Sequence, residues 1–104
     1  MSKIKPVEIQ GLSALREKIT RTDEKLIAIL AERKDLVAEI AHLKAFHNLP
    51  IVDEKREKEL TMRLLKLGRC HGLRSEFVLT ISQIIIAEAV RTQATIKALV
   101  RQVS

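Results

Sequence analysis

Polar and apolar residues follow a helical period through the first half of the chain, over residues 8–47. Apolar positions recur at steps of three and four residues, and the only glycine, Gly11, lies near the start. The pattern predicts one continuous helix ending at Phe46 or His47, because Pro50 follows and the residue before a proline is disfavoured in helical geometry. The apolar stripe of this helix consists of Leu12, Leu15, Ile19, Leu26, Ile29, Leu36, Ile40 and Leu43.

The predicted first helix is too long for one copy of this chain to cover. At ~1.5 Å per residue, about 40 residues make a helix on the order of 60 Å long. A compact domain of about 100 residues has a radius of gyration of only ~13 Å. A second copy of the chain is the simplest way to cover the remaining apolar surface, so the length of the helix predicts a homodimer.

Two further helical patterns follow, over residues 53–69 and 75–102. Asp53 is placed to cap the second helix, and Gly68 and Gly72 are expected to supply the backbone freedom that its carboxyl end needs. In the third helix, the consecutive isoleucines Ile84, Ile85 and Ile86 make one turn apolar on most sides. We therefore expect several other helices to enclose that turn.

Composition agrees with an all-α fold. Hydrophobic residues make up 46% and charged residues 31% of the 104 residues, whereas glycine and proline are few and tyrosine and tryptophan are absent. This leaves little material for the turns and aromatic pairs of a β fold. We expect a single all-α domain over residues 1–104, in which residues 1–7 form a flexible lead-in with Pro6 at the approach to the first helix.

The net charge of +6 makes an anionic partner plausible. Nucleic acid is not expected, because the cations alternate with glutamates and only Phe46 and Phe77 could stack on bases. Cys70 is the only cysteine, which indicates a reducing compartment and a packing role for that residue. Without a signal-like amino terminus or a membrane-spanning apolar run, a cytoplasmic protein with no membrane contact is predicted.

Two cations interrupt the apolar stripe of the first helix. Arg33 stands where the spacing calls for an apolar residue, and Lys44 follows about three turns later on nearly the same face. Buried cations need counter-charges, so two on one face form a site for an anion. Arg16 lies ~25 Å from Arg33 along the helix. Within one chain these two arginines cannot bind the same small molecule.

Each unusual polar residue also has a purely structural explanation. Arg16 could pair with a nearby glutamate, Arg33 and Lys44 could extend their head groups to water, and Arg56 could be a surface residue. Asp53 could simply cap a helix, and Glu57 could form an intrahelical pair with Lys58 or Arg63. Gln93 could be a core glutamine bonded to backbone.

Taken together, this set predicts an electropositive and partly dry pocket that contains a carboxylate and an amide. Such a pocket suits a small dianion with a hydroxyl or ether oxygen. Covalent nucleophiles, metal-ligand spacing and glycine-rich phosphate loops are not apparent in the sequence, so no metal and no cofactor are expected. The site would act by holding the shape of its substrate and stabilising developing negative charge.

Three segments resemble the all-helical class of chorismate mutases, most closely the mutase domain at the start of bifunctional chorismate mutase–prephenate dehydratases. They are LREKITRTDEKLIAILAERKDLVAEIAHLKA, LPIVDEKREKEL and IIIAEAVRTQ, and they span most of residues 12–93. The resemblance implies three helices per subunit, intertwined in a homodimer with two active sites. It also implies the pericyclic rearrangement of chorismate to prephenate, on the route to phenylalanine and tyrosine.

The resemblance further implies a role for each residue of the set. Arg33 and Arg16 of the partner subunit would bind the two carboxylates of the substrate, and Lys44 and Gln93 would contact its ether oxygen. The ring hydroxyl would be bound by Glu57 and the backbone around Asp53, with Arg56 supporting a carboxylate. Ala89 stands where the family often has serine, which implies a weaker carboxylate contact. Because a glutamine is neutral at every relevant pH, Gln93 predicts activity without acid conditions.

Two other functions stay open on the sequence. Isochorismate pyruvate lyases resemble this fold and use a similar cationic site, although the segments LAERKDLVAEI and PIVDEKREKEL are more similar to mutases. A purely structural helical dimer or adaptor would use the unusual polar residues only to set the register of its helices.

Overall fold

A computed structural model of the chain describes residues 9–103 as three α-helices, namely α1 (Leu12–Phe46), α2 (Glu54–Cys70) and α3 (Ser75–Val103). No strand occurs in these residues, which confirms the all-α prediction. The predicted lead-in with Pro6, and Glu8 at the predicted start of the first helix, lie outside the described residues.

The start of α1 is later than predicted. Residues 9–11 form a turn in which the Leu12 N–H donates to the Ile9 carbonyl at 3.2 Å. Gly11 has a φ of 84°, a left-handed conformation that side chains disfavour, and it separates the turn from the helix. The glycine near the start of the stripe therefore marks a boundary that periodicity alone did not show.

The carboxyl end of α1 is a Schellman motif. Asn48 adopts a left-handed conformation with a φ of 55°. The Leu49 N–H donates to the Lys44 carbonyl at 2.8 Å, and the Asn48 N–H donates to the Ala45 carbonyl at 3.3 Å. Asparagine is one of the few residues besides glycine that tolerate this conformation, which explains why the chain can reverse here without glycine.

The carboxyl end of α2 has the same motif around Gly72, whose φ is 74°. The Leu73 N–H donates to the Gly68 carbonyl at 2.9 Å, and the Gly72 N–H donates to the Arg69 carbonyl at 3.1 Å. Gly72 is thus the capping glycine that was predicted.

The expected capping role of Gly68 is wrong. Gly68 lies inside α2 and is buried, and a Cβ built on it would lie 2.6 Å from Cγ2 of Val78 on α3. The glycine is needed because α2 and α3 approach closely at this point, not because the backbone must turn.

Contacts within the chain group its residues into two units, Met1–Arg33 and Lys34–Ser104, with the boundary inside α1. In the first unit, the described residues are exposed except for Leu12 and Arg33, which are half-buried. In the second unit α2 packs directly against α3. Among the described residues of that unit, the buried ones are Val37, Ala41, Gly68, Val78, Ser82 and Gln93.

Helix α3 does not match the expectation that its isoleucine turn is enclosed. Ile84 is 63% exposed, and Ile85 and Ile86 are half-buried. The three side chains point in different directions around α3, and α2 packs against only part of that circumference. Nowhere in residues 9–103 is a helix both long and apolar enough to span a membrane.

Candidate active site

The centre of the candidate site is a contact between the last turn of α1 and the middle of α3. The ammonium group of Lys44 donates to Oε1 of Gln93 at 2.9 Å and to the carbonyl oxygen of Ile51 at 2.7 Å. Gln93 is only 7% exposed and Lys44 is half-buried. The prediction that Gln93 needs a hydrogen-bond partner is confirmed, but the partner is Lys44 and not backbone.

This contact determines which way the amide of Gln93 faces. An ammonium group carries only donors, so it must meet the amide oxygen and not the amide nitrogen. The NH₂ group of Gln93 consequently remains available as a donor to a ligand. Lys44 has three N–H groups, and two of them are used by Gln93 and Ile51.

The first turn of α2 contributes Asp53, Arg56 and Glu57. Asp53 has an extended backbone, and its Oδ1 accepts from the Arg56 N–H at 3.0 Å, so the predicted N-cap is confirmed. Arg56 is exposed, and Glu57 is half-buried. Within residues 9–103 no ion pair joins Glu57 to Lys58 or Arg63, so the intrahelical pair considered for Glu57 is not formed.

Glu57 faces an open groove of about 420 Å³ between α2 and α3, where Ile86 is among the opposite residues. The surface of the groove is mainly apolar. Ala89 is half-buried on α3, one turn before Gln93 and on the same face. No described hydrogen bond joins Glu57 directly to Lys44 or Gln93.

Arg16 and Arg33 lie in the first unit. Arg16 is exposed, and its carbonyl accepts from the Thr20 hydroxyl at 3.1 Å. Its guanidinium forms no ion pair with a glutamate among the described residues; the pair in this part of α1 is Arg21 with Glu17 at 3.8 Å. Arg33 is half-buried, whereas the residues on either side of it are exposed.

Lys44 lines a different, more enclosed cavity of about 260 Å³. It was not predicted from the sequence, although Lys97 stands one turn after Gln93 and that spacing places the two on one face of α3. The cavity is lined by Lys44, Ala45, Asn48, Leu49, Lys97, Val100 and Arg101. The surroundings of Lys44 are therefore strongly cationic.

The backbone contribution of Ile51 was also missed. The side-chain pattern does not indicate which backbone carbonyl accepts from the Lys44 ammonium, because every residue has a carbonyl. Together, Lys44 and Gln93 offer an ammonium N–H and an amide N–H on adjacent groups. Such fixed donors stabilise an oxygen on which negative charge develops during a reaction.

Comparison with known proteins places the sequence in one enzyme family. The family described as chorismate mutase type II matches residues 15–94. A bifunctional chorismate mutase/prephenate dehydratase of Escherichia coli strain K12 is 44% identical over 82 residues, which are 79% of this chain and 21% of the relative. The protein of the same name from Buchnera aphidicola of Acyrthosiphon pisum is 42% identical over 83 residues, 80% of this chain and 22% of the relative.

A third relative is matched over most of its length. It is a chorismate mutase of Methanocaldococcus jannaschii, 35% identical over 78 residues, which are 75% of this chain and 79% of the relative. By contrast, the chain spans only about a fifth of the length of the bifunctional relatives. The matched 15–94 segment contains Lys44, Gln93 and the first turn of α2.

Proposed function

The chain belongs to the chorismate mutase type II family, and we propose that it catalyses the rearrangement of chorismate to prephenate. The observation that carries the proposal is the contact of Lys44 with Gln93, which pairs two donors inside the segment matched by the family. The reaction breaks a carbon–oxygen bond and forms a carbon–carbon bond within one molecule. It therefore needs no nucleophile and no proton transfer, only a site that holds the reactive shape.

Lys44 and Gln93 are the proposed catalytic donors. As the carbon–oxygen bond of chorismate breaks, negative charge grows on the ether oxygen. The remaining N–H of Lys44 and the NH₂ group of Gln93 would donate to that oxygen, because their other contacts are already made inside the protein. A fixed donor of this kind lowers a reaction barrier by ~3 kcal/mol.

The first turn of α2 would bind the rest of the ring. The carboxylate of Glu57 can accept a hydrogen bond from the substrate hydroxyl, and the free backbone N–H groups next to Asp53 add donors at a helix amino end. Arg56 would support a carboxylate of the substrate. Ala89 offers no hydroxyl at its position, which favours weaker binding and not a lower rate of the chemical step.

Arg33, and Arg16 of the partner subunit, are the proposed ligands of the two substrate carboxylates. These roles rest on the family resemblance and on the chemistry of guanidinium groups, which bind carboxylates with two parallel hydrogen bonds. Arg33 would also count among the catalytic residues, since it would hold the substrate in its reactive shape.

Arg16 can contribute to the site only in a homodimer. We propose a homodimer in which the helices of the two subunits intertwine. Support comes from large apolar side chains that the described chain leaves exposed in the first unit, among them Leu15, Ile19, Leu26 and Ile29. A soluble monomer rarely exposes a continuous stripe of this kind. The whole chain would then be one mutase domain, cytoplasmic because its single cysteine suits a reducing compartment, and part of phenylalanine and tyrosine biosynthesis.

The proposal is tested by adding purified protein to chorismate at neutral pH, without metal or cofactor, and following the loss of chorismate absorbance. Identification of prephenate as the product would support the mutase. No consumption of chorismate by a folded protein would overturn it. An isochorismate pyruvate lyase would instead convert isochorismate to salicylate and pyruvate, which can be measured. An adaptor would process neither chorismate nor isochorismate.

A further inference from the structure

We propose that Asn48 is a positioning residue that holds Lys44 in its working geometry through the backbone of the loop after α1. The proposal rests on the mutase function given above. It concerns a residue outside the set of substrate contacts, and no substrate group is expected to touch it. Its basis is the left-handed backbone of Asn48, with a φ of 55°.

The loop that begins at Asn48 holds Lys44 at both ends of the residue. At the backbone, the Lys44 carbonyl accepts from the Leu49 N–H at 2.8 Å. At the side chain, the Lys44 ammonium donates to the Ile51 carbonyl at 2.7 Å. Leu49 and Ile51 follow Asn48 by one and three residues, so the direction in which the chain leaves Asn48 decides where both groups lie.

The position of Lys44 therefore depends on the backbone conformation of Asn48 and not on hydrogen bonds of the Asn48 side chain. Within residues 9–103, the Asn48 side chain makes no hydrogen bond. Most side chains are strained in the left-handed region, whereas asparagine and glycine tolerate it. Pro50 adds stiffness, because it restricts Leu49 to extended geometry and so leaves the loop few alternatives.

The orientation of the Lys44 ammonium follows from this loop. With Ile51 and Gln93 as two acceptors, the third N–H has one remaining direction, given by the tetrahedral nitrogen. If the Ile51 carbonyl moves, the ammonium is free to rotate and its donor is no longer aimed at one point. The reaction rate then falls, while binding of the substrate carboxylates by the arginines is unchanged.

The end of α2 provides a matched control. Gly72 has the same place in the same motif, with a φ of 74°, and the Leu73 N–H donates to the Gly68 carbonyl. None of these residues belongs to the proposed site. A strained backbone at Gly72 should destabilise the protein without reorienting Lys44.

The test compares Asn48→Ala, Asn48→Gly and Gly72→Ala in the full chain. Asn48→Ala should lower kcat about tenfold and leave KM within about twofold, because alanine is strained in the left-handed region. Asn48→Gly should keep both constants within about twofold of the original chain. Gly72→Ala should lower the melting temperature but keep kcat. Full activity in Asn48→Ala, an equal loss in Asn48→Gly, or an equal loss in Gly72→Ala would each overturn the proposal.

A second readout does not depend on catalysis. Acetic anhydride is allowed to react with the folded protein, and mass spectrometry compares the acetylation rate of Lys44 with that of the exposed Lys66 as an internal reference. The ratio of Lys44 to Lys66 should rise at least about threefold in Asn48→Ala and stay constant in Asn48→Gly, because only alanine strains the turn. An unchanged ratio in Asn48→Ala contradicts the positioning role, whether or not the chain turns over chorismate. If the chain does not turn over chorismate but the ratio rises as expected, only the proposed function fails.

Discussion

Helix α1 runs through both units of the chain, but its buried residues all lie in the second unit. In the first unit the stripe residues Leu15 and Ile19 are 58% and 60% exposed, and in the second unit the stripe residue Leu43 is 61% exposed. Val37 and Ala41, which follow the stripe residues Leu36 and Ile40 directly, are only 8% and 3% exposed. Both segments have the periodicity of a core-facing helix. The comparison teaches that contacts within this chain bury residues next to the stripe in the second unit and leave the stripe itself exposed in both units.

The chemistry also divides between the units. The hydrogen-bonded groups of the candidate site, Lys44, Ile51 and Gln93, belong to the second unit, as do Asp53 and Glu57. Arg16 and Arg33 belong to the first unit. Both are proposed to bind substrate carboxylates, and Arg33 is also proposed to hold the substrate in its reactive shape. If this division is correct, changes in the second unit should alter turnover, and changes on the apolar stripe of the first unit should alter assembly.

The largest expected effect is on turnover. Lys44→Ala should lower kcat by about 100- to 1,000-fold, because it removes a preorganised donor to the ether oxygen. Circular dichroism should show that the protein stays folded. Lys66→Ala, which removes an exposed lysine from α2, is the matched control and should keep full activity. A Lys44→Ala variant with near-normal kcat would place the chemistry elsewhere.

The next effect concerns assembly. Leu26→Glu puts a charge on the exposed apolar stripe of the first unit and should weaken dimerisation by at least ~100-fold, since each copy of the leucine contributes ~2 kcal/mol when buried. Sedimentation velocity over a range of concentrations measures the change. Ala31→Glu, nearly on the opposite face of α1, is the control and should dimerise as the original chain does. Equal association of both variants would mean that the stripe is not the interface.

A smaller effect is expected on the stability of the second unit. Gly68→Ala should lower the free energy of unfolding by ~1–3 kcal/mol, because the new Cβ would lie 2.6 Å from Cγ2 of Val78. Urea denaturation measures the loss. Adding Val78→Ala removes the clashing methyl groups, so Gly68→Ala should cost less in that background than in the original chain. If its cost is the same in both backgrounds, the close contact of α2 with α3 is not its cause.

The smallest effect is a change in pH dependence. The original chain should have a kcat/KM that does not fall steeply between mildly acidic and neutral pH, because the amide of Gln93 donates in every relevant condition. In Gln93→Glu the carboxylate must be protonated to donate, so kcat/KM should decline about tenfold as the pH rises to neutral. A steep acid-dependent profile already present in the original chain would count against the role of Gln93.

Much of the fold could be predicted because it depends on local sequence patterns. The three helices, the ends of α2 and α3, and Asp53 as an N-cap depend on residues close together in the chain. The later start of α1 and the role of Gly68 were not predicted correctly. In both cases a glycine had two possible meanings, a backbone turn or a close contact, and spacing alone does not distinguish them.

The candidate site could be predicted only in part. Lys44 and Gln93 were both identified as polar residues on apolar faces, which is a local observation. Their direct contact is a tertiary fact, since it joins residues on two helices that are far apart in the sequence. The loop that holds Lys44 was missed, because backbone carbonyls and a left-handed asparagine carry no periodic signal.

The sequence by itself determined where the helices form and which polar residues interrupt their apolar faces, because helix periodicity, capping and proline act over a few residues. Only the tertiary structure decided that the Lys44 ammonium faces the oxygen of Gln93, that Val78 leaves room for nothing larger than glycine at position 68, and that the stripe of the first unit stays exposed within this chain. These outcomes depend on how packed elements approach one another, and close packing is a property of residues distant in sequence.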